Sequence, residues 1–119
     1  KAYQRRRDLG LLAGLYSDKV VLTAEDPAEE SVRAICEEIA EHVKLNNNSY
    51  EIIEDRGEAI KKALLSAKPN TVILLTGKGN ETRQKIGKKY VPCPSDVEYV
   101  KRYLSEYDKT VGEAAIALD

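Results

Sequence analysis

Apolar residues recur at intervals of three or four positions in several stretches of this chain, which is the spacing of amphipathic helices. Helices are predicted over these stretches: residues 9–16, 32–43, 55–67 and 95–104. Asp8 is the expected N-cap of the first helix, and Asp55 with Glu58 and Ser95 with Glu98 have the spacing of capping boxes at the starts of the third and fourth. Cys36 falls on the apolar face of the second helix, where we expect a small buried hydrophobe. After Asp108 the helical signal is weak and confined to residues 113–117.

Short apolar runs separate these helices and predict β-strands. The runs are residues 20–23, 50–53 and 72–75. The last run has no polar alternation, which favours a strand buried on both faces of a parallel sheet. Residues 82–86 and 89–93 flank Gly87, a pattern typical of a small hairpin.

The alternation of strands and helices predicts an α/β fold, a Rossmann-like three-layer domain with a mostly parallel sheet and a small C-terminal hairpin. The opening helix lacks a preceding strand, and we expect that strand to lie outside this chain. The chain also has no methionine and opens on charged residues 1–8 that suit the middle of a loop, so we expect a piece of a longer protein. Residues 1–107 are the expected domain and residues 108–119 a tail.

Composition excludes several functions. The 119 residues carry 19 basic and 20 acidic side chains, which gives no reason to expect nucleic acid or an anionic membrane as a partner. No apolar stretch approaches the roughly 20 residues needed to span a bilayer. The two cysteines, Cys36 and Cys93, have no zinc-ligand spacing, so we predict no metal site and favour a reduced, cytoplasmic setting.

The loop after the third predicted strand is the first candidate site. Gly77 and Gly79 bracket Lys78, and Glu81 follows within two residues. Ligands collect at the carboxyl ends of parallel strands, and glycines let the backbone approach them closely. The loop lacks the spacing of a nucleotide P-loop. It is either a binding loop or only a tight turn.

Two further segments are expected at the same edge of the sheet. Asp26 either caps the following helix, with Pro27 in its first turn, or joins Glu25 and Glu81 around a cationic group such as an amine. The arginines at residues 5–7 are either a solvated surface or hold a carboxylate or phosphate at the mouth of the crevice.

Together these passages resemble the C-terminal domain of the Mur ligases, of the MurE type, which join an amino acid to UDP-N-acetylmuramoyl-L-alanyl-D-glutamate in peptidoglycan synthesis. The family pattern is a basic loop ending in KR, then DNPR or DNPA, DRxxAI and GKGHE. This chain offers matching passages in order, over roughly residues 1–105: RR at 5–6, EDPA at 25–28, DRGEAI at 55–60 and GKGNE at 77–81.

The resemblance implies an ATP-dependent ligase that forms an amide bond. ATP phosphorylates the substrate carboxylate, and the incoming amine attacks the acyl phosphate, which releases ADP and phosphate. ATP and Mg²⁺ would be bound mainly by a central domain, and the sugar nucleotide by an N-terminal domain. This chain matches neither. It is therefore expected to carry no catalytic residue, to be inactive alone, and to work with its own N-terminal and central domains.

The resemblance also assigns substrate-binding positions. One set matches the motif that reads the amino-acid side chain: Glu25, Asp26, Pro27 and Ala28. A second set matches the loop in which the first and last residues hold the distal amino and carboxyl groups: Gly77, Lys78, Gly79, Asn80 and Glu81. Arg5 and Arg6 match the segment that carries an arginine for a substrate carboxylate.

Four departures from the family pattern bear on the substrate. Ala28 stands where diaminopimelate-adding enzymes have arginine and lysine-adding enzymes have alanine. Asp26 replaces asparagine, Glu25 replaces aspartate, and Asn80 replaces histidine. We therefore expect a basic amino acid such as lysine or ornithine, or a divergent paralogue that takes another amine.

Other functions fit the same residues. A non-catalytic Rossmann-like module could bind a small anion or an amino acid for regulation or interaction. Folylpolyglutamate synthase-like enzymes belong to the wider ligase superfamily, but the GKG-x-E loop favours the muramyl branch.

Overall fold

A computed structural model describes the backbone of residues 2–110 and 114–118 and the side chains of residues 3–107. Helices and strands alternate along the chain as the apolar spacing predicts. In order the elements are α1 (Ala2–Tyr16), β1 (Val20–Leu22), α2 (Val32–Val43), β2 (Tyr50–Ile52), α3 (Arg56–Leu65), β3 (Thr71–Leu75), β4 (Arg83–Ile86), β5 (Lys89–Pro92), α4 (Asp96–Thr110) and β6 (Ala114–Leu118). Within the described residues no helix is long and apolar enough to cross a membrane.

The strands pair in twos. β1 pairs with β2 in parallel, with Val20 opposite Tyr50, and β3 pairs with β6 in parallel, with Thr71 opposite Ala114. β4 and β5 form the predicted antiparallel hairpin. The fold is thus mixed α/β, and the described strands form three two-stranded sheets where one continuous sheet was expected.

Helix α1 begins well before its predicted start. It extends back to Ala2, so Asp8 lies inside the helix and the prediction that it is the N-cap is wrong. From Ala2 onward the charged opening stretch is helical and not a loop. Glutamine, arginine and alanine all have good helix propensity. Arg5 and Arg6 also form ion pairs with Glu25 and Glu30, which lie beyond β1 in the chain. These pairs fix the first turns of α1 in place.

Strand β3 has one exposed face, so the prediction that it is buried on both faces is wrong. Val72 and Leu74 are 69% and 65% exposed, because helices α3 and α4 pack only against the opposite face, through Ile73 and Leu75. The weak helical signal in residues 113–117 also misleads, because residues 114–118 form strand β6. Its backbone pairs with β3 along the whole strand, and such pairing outweighs a weak local propensity.

Two apolar clusters hold the helices on the strands. The first joins β1 to α2 through Val20, Leu22, Cys36, Ala40 and Val43, and the second joins α3 to α4 through Ile60, Leu64 and Val100. Cys36 is buried as predicted. Helix α1 packs closely on α2 at two glycines, since a Cβ on Gly10 or Gly14 would stand 2.6 or 2.7 Å from a carbonyl oxygen of α2.

Two of the predicted helix caps are confirmed. Asp55 Oδ1 accepts a hydrogen bond from the Glu58 backbone amide at 3.0 Å. At the start of α4, Ser95 Oγ accepts from the Glu98 amide at 3.1 Å, while the Glu98 carboxylate accepts from the Ser95 amide at 3.4 Å. Each cap satisfies an amide that the first helical turn leaves without a partner. These caps set the start of α3 and α4, from which Arg56 and Asp96 extend.

Candidate functional site

The loops that follow β1 and β3 are joined by the buried side chain of Lys78. Its ammonium donates to Asp26 Oδ1 at 2.9 Å, to Glu81 Oε1 at 3.0 Å and to the carbonyl of Arg83 at 2.6 Å. The side chain is 3% exposed. An ammonium has three protons, so these three acceptors use all of them. Lys78 therefore connects the loops without offering a donor to a ligand.

The same contacts rule out the local alternative for Asp26. Its carboxylate accepts from Lys78 and, at 2.9 Å, from the backbone amide of Lys85. Helix α2 begins several residues later, with Ser31 as its N-cap, and Ser31 Oγ accepts from the Ala34 amide at 3.2 Å. The interpretation of Asp26 as a helix cap is therefore wrong.

The pKa values of this pair move apart. Burial by itself raises the pKa of Asp26, but the Lys85 amide and the Lys78 ammonium outweigh it, and the pKa lies below its ordinary value of 3.8. Burial by itself lowers the pKa of Lys78, yet hydrogen bonds to Asp26 and Glu81 raise it above 10.5. Both groups are therefore charged at neutral pH.

Glu25 brings the third predicted segment to the same place. Arg5 on α1 donates to both carboxylate oxygens of Glu25, at 3.3 and 3.2 Å, and the Gln84 side-chain amide donates to the Glu25 carbonyl at 2.9 Å. Gly77 (φ +105°) lies against the Glu25 carboxylate, and a side chain at position 77 would overlap it. The structure thus brings together the basic segment, the loop after β1 and the loop after β3, as the sequence predicts.

Arg6 lies apart from this cluster. Its guanidinium donates to both carboxylate oxygens of Glu30, at 3.1 and 2.7 Å, and to Glu38 at 2.9 Å. The hydrogen bond to Glu30 is the main cause of its raised pKa, with burial opposing it. Arg6 therefore ties α1 to the end of the loop after β1, through Glu30, and to α2, through Glu38, while the more exposed Arg5 stays beside Glu25.

The loop after β1 is also held by the β4–β5 hairpin. Ala28 adopts a left-handed backbone conformation (φ +53°) and forms a parallel bridge with Ile86. Its amide donates to the Lys85 carbonyl at 3.1 Å, and its carbonyl accepts from the Gly87 amide at 2.5 Å. Pro27 is buried beside it. The backbone of the hairpin, and not the Ala28 methyl group, fixes this part of the loop.

The remaining loop residues complete a turn. The Glu81 amide donates to the Lys78 carbonyl at 2.9 Å, and the Gly79 carbonyl (φ +52° at this residue) accepts from the Asp96 amide at 3.1 Å. Asn80 and Glu81 are exposed. The tight turn and the contacts with the other loop are therefore present together.

A cavity of about 280 Å³ lies beside these loops. Its lining includes residues from the starts of three helices and from the hairpin: Pro27, Ala28, Glu30, Glu54, Asp55, Arg56, Lys78, Gln84, Cys93, Asp96 and Tyr99. The two cations in this lining, Arg56 and Lys78, are already bound by carboxylates of the chain. The cavity therefore favours a cationic or neutral group of a ligand over a carboxylate.

Arg56 and Asp96 were not predicted from the sequence as site residues. The Arg56 guanidinium forms a bidentate ion pair with Asp96, at 2.7 and 2.6 Å, and also donates to the carbonyls of Ala24 and Thr76. The signal was present in the DRGEAI passage at 55–60, in which an arginine follows a helix cap directly. The partner of Arg56 is forty residues away, which local spacing does not reveal.

The described residues offer no cluster of metal ligands. Among them no three of His, Cys, Asp and Glu stand together so as to hold a metal. The residues of the two loops therefore do not fit Mg²⁺, and no step of a reaction can be placed on such an ion in this part of the protein.

Comparison with known proteins shows the family of the chain. The family described as "Mur ligase, glutamate ligase domain" matches residues 1–79. The chain is 43% identical over 105 residues to the UDP-N-acetylmuramoyl-L-alanyl-D-glutamate–2,6-diaminopimelate ligase of Caldanaerobacter subterraneus, covering 88% of this chain and 22% of the relative.

Relatives named for lysine are also similar. The corresponding L-lysine ligases of Enterococcus faecalis and Streptococcus sanguinis are 36% and 40% identical, over 89% and 87% of this chain and 21% of each relative. The chain spans about a fifth of the length of these relatives. With a family match over residues 1–79 and relatives at 36–43% identity over most of its length, the chain belongs to the Mur ligase family, as part of its glutamate ligase domain.

Proposed function

We propose that this chain is the amino-acid-selecting C-terminal domain of an ATP-dependent ligase that adds an amino acid to UDP-N-acetylmuramoyl-L-alanyl-D-glutamate in peptidoglycan synthesis. One observation carries the proposal. The EDPA and GKGNE passages, fifty residues apart in sequence, are joined through Lys78 and Asp26 at 2.9 Å. Relatives over most of the chain are named as ligases of this precursor.

The chain's own part in the reaction is to bind and orient the incoming amino acid. The ion pairs that link the two loops and α1 involve two cations (Arg5 and Lys78) and three carboxylates (Glu25, Asp26 and Glu81). Two positive against three negative charges leave an excess of one negative charge. A substrate ammonium would balance it, and Glu81 is the most exposed of the three carboxylates.

The amino acid we favour is a basic one, such as lysine or ornithine. A substrate with a second carboxylate needs a free cation, and the cations that line the cavity, Arg56 and Lys78, are already bound by Asp96, Asp26 and Glu81. The methyl group of Ala28 adds no charge to this wall. Arg5 is the proposed contact for the substrate's α-carboxylate. Lys78, Gly79, Pro27 and Arg6 shape the loops, while Gly77 and Asn80 border the ligand.

The rest of the protein supplies what this chain does not carry. ATP, with Mg²⁺, activates the precursor carboxylate as an acyl phosphate, and we assign its binding to a central domain, and the sugar nucleotide to an N-terminal domain. This chain by itself is then inactive. We place the enzyme in the cytoplasm.

The complete fold is proposed as a Rossmann-like three-layer domain over residues 1–107, with residues 108–119 as a C-terminal extension that includes the end of α4 and strand β6. The exposed Val72 and Leu74 of β3 support a further layer on that face, and the separate β1–β2 and β3–β6 pairs support an additional strand that joins them.

The test is phosphate release by the full-length protein with ATP and the UDP-linked dipeptide precursor. Release should depend on added lysine or ornithine. Faster turnover with diaminopimelate would contradict the basic substrate while leaving the ligase assignment intact. If no amino acid stimulates release but calorimetry detects amino-acid binding, the alternative holds, namely a non-catalytic binding module.

A further inference from the structure

We propose that Arg56 is a positioning residue that sets the distance between the two amino-acid-reading loops. This rests on the proposed function, since the loops in question are those assigned to the amino acid. Arg56 lies in the first turn of α3, outside both loops, and we assign it an effect on the loops and not a substrate contact, because Asp96 already binds its guanidinium.

The evidence is where the guanidinium donates. Nη1 donates to the carbonyl of Ala24 at 3.0 Å, and Nη2 donates to the carbonyl of Thr76 at 2.9 Å. Ala24 directly precedes Glu25, and Thr76 directly precedes Gly77. One rigid, planar group therefore holds the entry of both loops, and its two nitrogens are separated by a fixed covalent distance.

Asp96 fixes the guanidinium in turn. Its two oxygens accept from Nε at 2.7 Å and from Nη2 at 2.6 Å, and the aspartate and arginine side chains are 1% and 12% exposed. The Asp96 amide also donates to the Gly79 carbonyl at 3.1 Å. The start of α4 therefore holds the far side of the second loop while its side chain orients Arg56.

A lysine cannot replace this arrangement. Arg56 makes four hydrogen bonds in one plane, whereas an ammonium has three donors in a tetrahedral arrangement and cannot span both carbonyls and a bidentate carboxylate. The backbone contacts matter because a shift of about 1 Å in a substrate-positioning element can reduce turnover by about a hundredfold.

The experiment is a kinetic comparison of Arg56→Lys with the wild type in the full-length protein, measured as phosphate release. The amino-acid KM should rise about tenfold or more, while the KM for ATP stays within about twofold, because only the amino-acid loops are displaced. Asp96→Asn keeps the shape of the side chain that orients Arg56 but removes its charge. It should raise the amino-acid KM by a smaller factor than Arg56→Lys. It serves as the test if Arg56→Lys does not fold.

Leu64→Val is the matched control for stability. Leu64 lies in the core between α3 and α4, and its aliphatic side chain cannot hydrogen-bond to a loop carbonyl. It should lower Tm while leaving the amino-acid KM unchanged. An equal rise of the amino-acid KM in Leu64→Val, or equal rises for ATP and amino acid in Arg56→Lys, would overturn the positioning role. A wild-type enzyme without amino-acid-dependent phosphate release would instead overturn the proposed function.

Discussion

The Cα of Gly77 lies directly against the carboxylate of Glu25, with no room for a side chain between the two loops. Gly77→Ala should therefore displace Glu25 and also strain a backbone at φ +105°. We expect at least a tenfold loss of kcat/KM for the amino acid in the full-length protein, from phosphate-release kinetics.

Gly87→Ala is the control that separates backbone strain from the displacement of Glu25. Gly87 also has a positive φ (+62°), but a Cβ there would meet nothing within 4 Å. It should cost about 1 kcal/mol of stability from the backbone alone and leave the kinetics unchanged. An equal kinetic loss in both variants would show that the contact with Glu25 is unimportant.

Lys78→Met tests the connection between the loops. The change keeps the length of the side chain and removes the charge that binds Asp26 and Glu81, so two carboxylates lose their partner. We expect the free energy of unfolding to fall by about 1–3 kcal/mol in chemical denaturation. Lys88→Met, on the exposed hairpin turn, should stay within about 0.5 kcal/mol of the wild type. A neutral Lys78→Met would mean that Arg56, Arg5 and the backbone hold the loops without help from Lys78.

The lowered pKa of Asp26 predicts a pH dependence with a definite sign. A carboxylate whose pKa is lower in the folded state stabilises the fold above its ordinary value of 3.8, and this stabilisation is lost as pH falls through the lower folded value. The stability difference between wild type and Asp26→Asn should be constant from pH 7 to about 5 and shrink below pH 3.8. Measured unfolding curves that keep a constant difference down to pH 2.5 would contradict the assignment.

Gly14→Ala tests the close packing of α1 on α2. Alanine gains about 1 kcal/mol of helix propensity over glycine. Its methyl group would, however, stand 2.7 Å from the Val43 carbonyl oxygen, which belongs to the backbone and cannot rotate away. Overpacking of this kind costs about 1–3 kcal/mol, which outweighs the gain in helix propensity. We therefore expect a lower Tm in thermal unfolding. Gln4→Ala, on the exposed side of α1, is the control. A stabilised Gly14→Ala variant would mean that the helices separate at little cost.

Ala28→Arg tests the choice of amino acid. An arginine at the cavity wall would supply the free cation that a second carboxylate requires. Activity with diaminopimelate should rise relative to lysine by about tenfold in competition assays, since a charge-assisted pair is worth roughly 1.5–3 kcal/mol. An unchanged ratio would place the selection elsewhere in the site.

Local patterns predicted much of this fold because their causes are local. The apolar stripe of α2, the caps at Asp55 and Ser95, and the hairpin all follow from spacing within a few residues. The start of α1 and the strand β6 depend on partners far along the chain, so their prediction failed. The same is true of the site. Its loops were found from glycines and charges, while the pairing of Lys78 with Asp26 spans 52 residues and that of Arg56 with Asp96 spans 40.

The hairpin contact at Ala28 has an evolutionary consequence. Position 28 is held through its own amide and carbonyl, which bind the backbone of Lys85 and Gly87, and the left-handed conformation is already tolerated with a Cβ present. Another unbranched side chain at this position would keep the same path of the chain. A single codon change could thus exchange the chemistry of the cavity wall while the scaffold around it stayed as it was, and substrate preference could drift between lineages without a new fold.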